Sequence, residues 1–235
     1  MRQIVLDTET TGLSAAQGDR IIEIGCVELV NRKLTGNNLH LYINPERDSH
    51  EDALKVHGIT SEFLRDKPKF SAIADELLAY VAGAELIIHN APFDLGFLNK
   101  EMALLGLPPF TQAAASVVDT LLMAKEMYPG KRNGLDALCA RLDVDNTNRT
   151  LHGALLDAEL LAEVYINLTR GQNALMMEEA PNEATQVLDT ADMDFARFDL
   201  PVIRATEHEL QAHEAVLCDL DKAVNGQAFF RKMNA

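Results

Sequence analysis

Apolar positions come in short runs along the first third of the chain, and the spacing then lengthens. Residues 2–7 (RQIVLD) hold a continuous apolar run ending at Asp7, which predicts a buried strand, and RIIEIGCVELV (20–30) alternates with a period of two, which predicts a second. NNLHLYINP (37–45) predicts a third, closed by Pro45. A helix is expected over 71–82, then a short strand, ELIIH (85–89), then a helix over 92–106 that starts at Pro92 and stops at Gly106. SVVDT (116–120) predicts a further strand, followed by helices near 121–127, 134–142 and 153–169. Three sequential strands and then alternating helix and strand predict an α/β protein, a mixed sheet flanked by helices.

The pattern breaks after Gly171. NALMMEEAPNEATQVLDTADMD (173–194) is acidic and without period, and reads as a linker within 172–205. Beyond it, Thr206 and Glu209 form a capping box, Leu210, Leu217, Leu220 and Val224 form one apolar stripe, and Gly226 offers a stop before Phe229 and Phe230. The expected organisation is therefore a domain over 1–171, a linker over 172–205 and a helical segment over 206–235. Such a helix either packs on its own domain or docks on a partner, and the sequence leaves both open.

Composition narrows the function. With 47% hydrophobic and 24% charged residues the chain is an ordinary globular one, and no apolar run is long enough to cross a membrane. The first residues enter a strand directly, without the basic and apolar regions of a leader, and three scattered cysteines lack metal-ligand spacing. Both features lead us to expect a cytoplasmic protein with reduced thiols. The net charge of −15 argues against unaided grip on a polyanion. A protein this acidic that acts on nucleic acid needs metal ions to offset the repulsion, or a partner to deliver the substrate.

Three segments carry candidate chemistry. Asp7 and Glu9 lie two apart at the end of the first strand, so they share a face, and hard divalent cations take such oxygen ligands. LIIHNAPFD (86–94) ends a second apolar strand in His89 and Asn90 and places Asp94 in the first turn of a helix. LHGALLDAELLAEVY (151–165) puts His152 on a loop before Gly153 and Asp157 on the first turns behind it. Four carboxylates exceed what one magnesium ion uses, but suit two ions roughly 3.5–4 Å apart, which stabilise both oxygens of an in-line phosphoryl displacement. A neutral His152 could take the proton of the attacking water. The cluster GKRN (130–133) with Arg141 and Arg149 is the obvious phosphate-facing patch, and its Lys and Arg residues are expected to guide a single strand, which Lys131→Ala and Arg132→Ala would test.

The ordered set, D-x-E, then HNAPFD, then HGALLDA, resembles the DEDD superfamily of 3′–5′ exonucleases, in the branch with histidine at the fifth position. RQIVLDTETTGL, IIEIGCVELVNRKLTGNN, VHGI, GAELIIHNAPFD, PGKRNGLDALCARL and RTLHGALLDAELLAEVY further resemble the family of proofreading ε subunits of bacterial DNA polymerase III, over essentially residues 1–172. The resemblance implies an RNase H-like fold and two Mg²⁺ or Mn²⁺ ions held by Asp7, Glu9, Asp94 and Asp157, with His152 as general base. It implies that Thr8, Thr10 and Leu13 line the pocket of the terminal nucleotide, with His57 and Phe93 near its sugar and base. Asp119 and Asp136 fall outside the motif positions and are read as structural. The implied substrate is a single-stranded or frayed 3′ DNA end, with the mispaired nucleotide leaving as a monophosphate. The segment after the domain would tether the enzyme to the polymerase α subunit. QNALMM (172–177) loosely resembles peptides that bind the sliding clamp, and a θ-type accessory subunit is left open. Two other readings compete: an RNase T-like or oligoribonuclease-like 3′ exoribonuclease, which shares the five residues but usually lacks the tail, and a non-catalytic scaffold, which would have lost a ligand.

Overall fold

A computed structural model of the chain describes residues 1–147, 149, 151–170 and 205–223. The chain divides into two compact units, Met1–Glu178 and Glu179–Ala235. In the first, β1 (Arg2–Thr10) pairs antiparallel with β2 (Ile21–Val30), setting Asp7 opposite Gly25 and Glu9 opposite Glu23. β3 (Lys33–Leu34) and β4 (Leu39–Tyr42) both pair with β2. Three helices follow, α1 (Glu51–His57), α2 (Ser61–Leu64) and α3 (Phe70–Val81). The chain then enters β5 (Glu85–Ile88), which runs parallel to β1, and α4 (Ala91–Leu104). β6 (Ser116–Asp119) joins parallel to β5, and α5 (Thr120–Met127), α6 (Leu135–Leu142) and α7 (Ala154–Leu168) complete the unit. The sheet order is β3-β2-β1-β5-β6, with β4 also on β2.

The period of two along β1 divides the core. Ile4 and Leu6 face one side and pack with Phe70, Leu77, Phe97 and Leu98 of α3 and α4. Val5 faces the other and packs with Leu138, Ala158 and Leu161 of α6 and α7. Asp7 and Glu9 continue the Val5 face, so the two acids end the row that α7 covers.

The predicted elements are present with ends shifted by a few residues, and two differences matter for function. β1 continues to Thr10, so both acids lie inside the β1–β2 ladder; β5 pairs only with Gln3–Val5, which leaves the other flank of β1 open beyond that point. The sequence reading also passed over β3, α1 and α2. The two helices are seven and four residues long; Leu54, Val56 and Phe63 are exposed and only Leu64 of α2 is buried among their large apolar side chains, so no core-facing period is there to detect.

The second unit contributes α8 (Glu207–Ala223). Its start is the predicted capping box: the Glu209 amide donates to Thr206 Oγ1 at 3.3 Å and Thr206 N–H donates back to Glu209 Oε2 at 2.8 Å. None of its side chains is buried, and Leu210 and Val216 are 56% and 58% exposed. The linker, QNALMM, Val224, Gly226, Phe229 and Phe230 lie outside the described residues. No described helix is long and apolar enough to cross a membrane.

Candidate active site

Where β5 stops pairing, the backbone at Asn90 takes a left-handed turn (φ 68°), which asparagine tolerates, and reverses into α4 with Pro92 in its first turn. Asp94 then reaches back to β1: its Oδ1 accepts from Thr8 N–H at 3.1 Å and from Thr8 Oγ1 at 2.7 Å. The Thr8 amide, beyond the last β5 pair, is thereby satisfied by a side chain instead of a strand. That contact, and not the helix macrodipole alone, accounts for an acid in the first turn of α4.

The second arm of the site comes from α7. A Cβ on Gly25 would stand 2.2 Å from Ala154 C and Leu155 N, so only a glycine lets the first turn of α7 lie directly on β2, across from Asp7. Glu23, also on β2, accepts from Ala154 N–H at 3.1 Å and pairs with His40 of β4 at 2.6 Å. This seating delivers Asp157. The loop before it is held by His152 N–H donating to Val56 O at 3.0 Å, and by Leu151 lying over Gly58, whose φ of 70° ends α1. Glu9, His152 and Asp157 each offer a ligand atom within 4.8 Å of the others.

All ten residues singled out from the sequence line one cleft of about 870 Å³: Asp7, Thr8, Glu9, Thr10, Leu13, His57, Phe93, Asp94, His152 and Asp157. Leu13 stands 86% exposed at its mouth, and Phe93 packs on Phe97 with ring centroids 5.0 Å apart. Thr10 is tied down by donating from Oγ1 to Gly12 O at 2.6 Å. His57 Nδ1 accepts from Ile59 N–H at 2.9 Å, so its neutral ring carries the proton on Nε2. That Nε2 is buried without a partner among the described residues. Burial, then nearby His152, lowers the basicity of His57 and keeps it neutral.

Crowded carboxylates resist ionising together. Burial, then the charges of Asp94, Glu9 and Asp157, holds the Asp7 carboxyl well above the usual range. Burial, then Asp157 and Glu23, pushes Glu9 up to about 8, and burial raises Asp94 to about 7 against the hydrogen bonds from Thr8. Hard oxygen donors in this number, beside one imidazole and strained by their own repulsion, fit divalent cations.

The structure alters several sequence expectations. Arg149 and Arg141 are engaged by groups of the protein itself. Arg149 is buried in ion pairs with Asp157 and Asp136, while Arg141 donates to Asn133 Oδ1 and Arg132 O and stacks on Tyr128. Of that patch Arg132 and Arg149 line the cleft. Asp119 is structural as expected, capping α5 through Leu121 N–H at 2.9 Å, but Asp136 lines the cleft and holds Arg149 at 2.7 Å. His89 bonds Thr120 at 2.9 Å, joining the end of β5 to the start of α5, and lines the cleft. Glu23 and Gly25 were missed. A lone glycine inside the apolar run IIEIGCVELV signals close backbone approach, and a lone acid facing inward beside it signals a buried partner.

Comparison with known proteins agrees with this geometry. The exonuclease family model matches residues 4–165. DNA polymerase III subunit epsilon of Pasteurella multocida is 52% identical over 98% of this chain and 94% of its own length, and that of Escherichia coli K12 is 49% identical over 98% and 97%. A solved structure of Exonuclease X in complex with 5′-overhanging duplex DNA is 27% identical, covers 73% of this chain and 93% of its own, and superposes with a TM-score of 0.57. The nuclease domain of 3′hExo, a DEDDh family member bound to rAMP, shares the fold at 18% identity and a TM-score of 0.63, over 72% of this chain and 92% of its own. The sheet with its flanking helices is thus the RNase H-like fold of these nucleases. By its matched domain, and by identity near one half along almost its whole length, this chain belongs to the exonuclease family and, within it, to the DNA polymerase III epsilon subunits.

Proposed function

We infer that the chain is a 3′–5′ exonuclease acting on DNA, the proofreading subunit of a replicative polymerase. One observation carries the reading: four carboxylates and His152, drawn from three distant segments, line a single cleft beside β1. The exoribonuclease reading is not favoured, because the polymerase-subunit relatives match through the tail as well as the domain.

Asp7, Glu9, Asp94 and Asp157 would hold two divalent ions, Mg²⁺ or Mn²⁺. When bound, such a pair stabilises charge on both sides of an in-line phosphoryl displacement. His152, on a loop and with its ring 45% exposed, takes the proton of the attacking water. Glu9, His152 and Asp157 stand nearest one another, and Asp94 is already engaged by Thr8, so Asp94 contributes through its free oxygen. Leu13 and Phe93 form apolar walls for the terminal base, Thr8 and Thr10 line the cleft beside the acids, and His57 offers its orphan Nε2–H to a sugar or base acceptor. The decisive assay is degradation with Mg²⁺ of mispaired DNA, paired DNA and RNA ends. Faster loss of mispaired DNA, abolished in Asp7→Ala, is expected; equal cleavage of RNA would return the exoribonuclease reading.

The domain over 1–171 does the chemistry and the remainder ties it to its assembly. An acidic nuclease gains most from a tether, which turns substrate encounter into an intramolecular event. The 206–235 segment, with the exposed face of α8, docks on the polymerase α subunit, and QNALMM (172–177) is a further contact for the clamp; a θ-type subunit is left open. Deleting 173–235 should spare the free exonuclease rate and abolish co-purification with α. Co-purification that survives the deletion rejects the tether.

A further inference from the structure

Arg149 stands inside the acid cluster with its side chain only 6% exposed. Its Nε donates to Asp157 Oδ1 at 2.6 Å and its Nη2 to Asp157 Oδ2 at 2.7 Å, so the guanidinium fork engages both oxygens of that carboxylate. The same Nη2 donates to His152 Nδ1 at 2.8 Å. Nη1 donates at 2.7 Å to Asp136, which is 66% exposed on α6 and outside the acid cluster.

Two consequences follow from donor chemistry alone. A guanidinium does not lose its proton, and here its pairing with Asp157 raises its hold on that proton further. Arg149 is therefore a permanent positive charge on a carboxylate that, with Glu9 and His152, forms the cation-sized cluster. Arginine also only donates, so in this contact, shorter than the 3.3 Å from Nδ1 to Asp157 Oδ2, His152 Nδ1 accepts. The neutral ring then carries its proton on Nε2, its Nδ1 lone pair is engaged, and neither nitrogen can take a proton from water. The arrangement that satisfies Arg149 silences the base.

We propose that Arg149 is a built-in counter-cation that competes with a divalent ion for Asp157, so that ion binding and release of His152 are one event. Asp136 gives the displaced guanidinium a place to stay, because its contact with Nη1 does not depend on Asp157 or His152. The loop that carries both Arg149 and His152 thus couples cation occupancy to the availability of the general base. The inference rests on reading the cleft as a divalent-ion nuclease site. It assigns Arg149 a role opposite to that of a girder that merely orients Asp157.

Titration calorimetry of the full chain with Mn²⁺ alone separates these roles. Arg149→Gln should bind Mn²⁺ about tenfold more tightly than the parent, as expected when one unit charge is removed from beside the ion. Arg149→Lys, which keeps the charge but cannot fork, should fall between the two and serves if the glutamine variant does not fold. Long-range ¹H–¹⁵N spectra in EDTA should show His152 protonated on Nε2 in the parent. Saturating Mg²⁺, or the glutamine substitution in EDTA, should move the His152 Nδ1 resonance to that of an imidazole nitrogen with a free lone pair. Affinity in Arg149→Gln that is unchanged or weaker, or a parent His152 protonated on Nδ1 in EDTA, overturns the inference and leaves the nuclease reading standing. A parent that takes up no Mn²⁺ overturns both.

Discussion

Helices α7 and α8 are nearly equal in length, at 15 and 17 residues, yet their starts are made in opposite ways. α8 begins with a cap made by residues three apart in sequence, Thr206 and Glu209. α7 has no side-chain cap of its own at Gly153; its first amide is taken by Glu23, 131 residues away on β2. Nine α7 side chains are buried and none of α8 is. A local cap makes a helix that carries its own start wherever it goes, which suits a docking segment. A remote cap makes a helix whose position is dictated by the sheet, which suits a helix proposed to hold a metal-binding Asp157 in place.

That contrast can be broken most severely at Gly25. Gly25→Ala should push the first turn of α7 off β2, costing about 1–3 kcal/mol in stability and lowering turnover by about 100-fold. A thermal melt and a single-turnover assay check both, and near-parental turnover would mean that α7 is not seated by the sheet.

The acid cluster predicts a pH effect next in size. Glu9 is pushed from the ordinary 4.5 up to about 8, and Asp94 to about 7, so protons compete with divalent ions for these oxygens. Apparent Mn²⁺ affinity should rise by about tenfold or more from pH 6 to pH 8.5, with proton release on binding. Without added ions the linkage runs the other way for folding. The native state binds more protons than the unfolded chain between 4.5 and about 8, so stability should fall as pH rises through that window. Calorimetry in buffers of different ionisation enthalpy and melts in EDTA test the two signs.

Glu23→Ala removes the remote cap and should cost about 1 kcal/mol, with a several-fold loss of turnover. Glu23→Gln, whose amide oxygen can still accept from Ala154, should recover most of it. Equal losses in the two variants would point to the charge, through His40, instead of the cap. The smallest change is expected at the other helix. Thr206→Ala should weaken the start of α8 by about 1 kcal/mol, read as faster amide exchange at Glu209, with exonuclease turnover on free DNA unchanged.

How far the sequence could be read differs from residue to residue for physical reasons. The strands, the long helices and the capping box all rest on local spacing, and local spacing is what a sequence displays. Asp7 and Glu9 share a face because strand geometry leaves no alternative. α1 and α2 are too short to show a period, since Leu54, Val56 and Phe63 are exposed and Leu64 alone of their leucines, valines and phenylalanines is buried. Arg149 was read as part of a basic patch because composition cannot tell a solvated arginine from one buried in a carboxylate fork. Glu23 and Gly25 looked like ordinary strand residues until the backbone of α7 was found lying on them.

By itself, then, the sequence determined the longer elements and the family, and it singled out the five residues proposed for the chemistry, since each depends on neighbours close in the chain. Only the tertiary structure decided that α7 rests on Gly25, that Asp94 replaces a strand beside Thr8, and that Arg149 lies between Asp157 and His152. Those are contacts between segments far apart in sequence, set by packing and charge in three dimensions, and no local period encodes them.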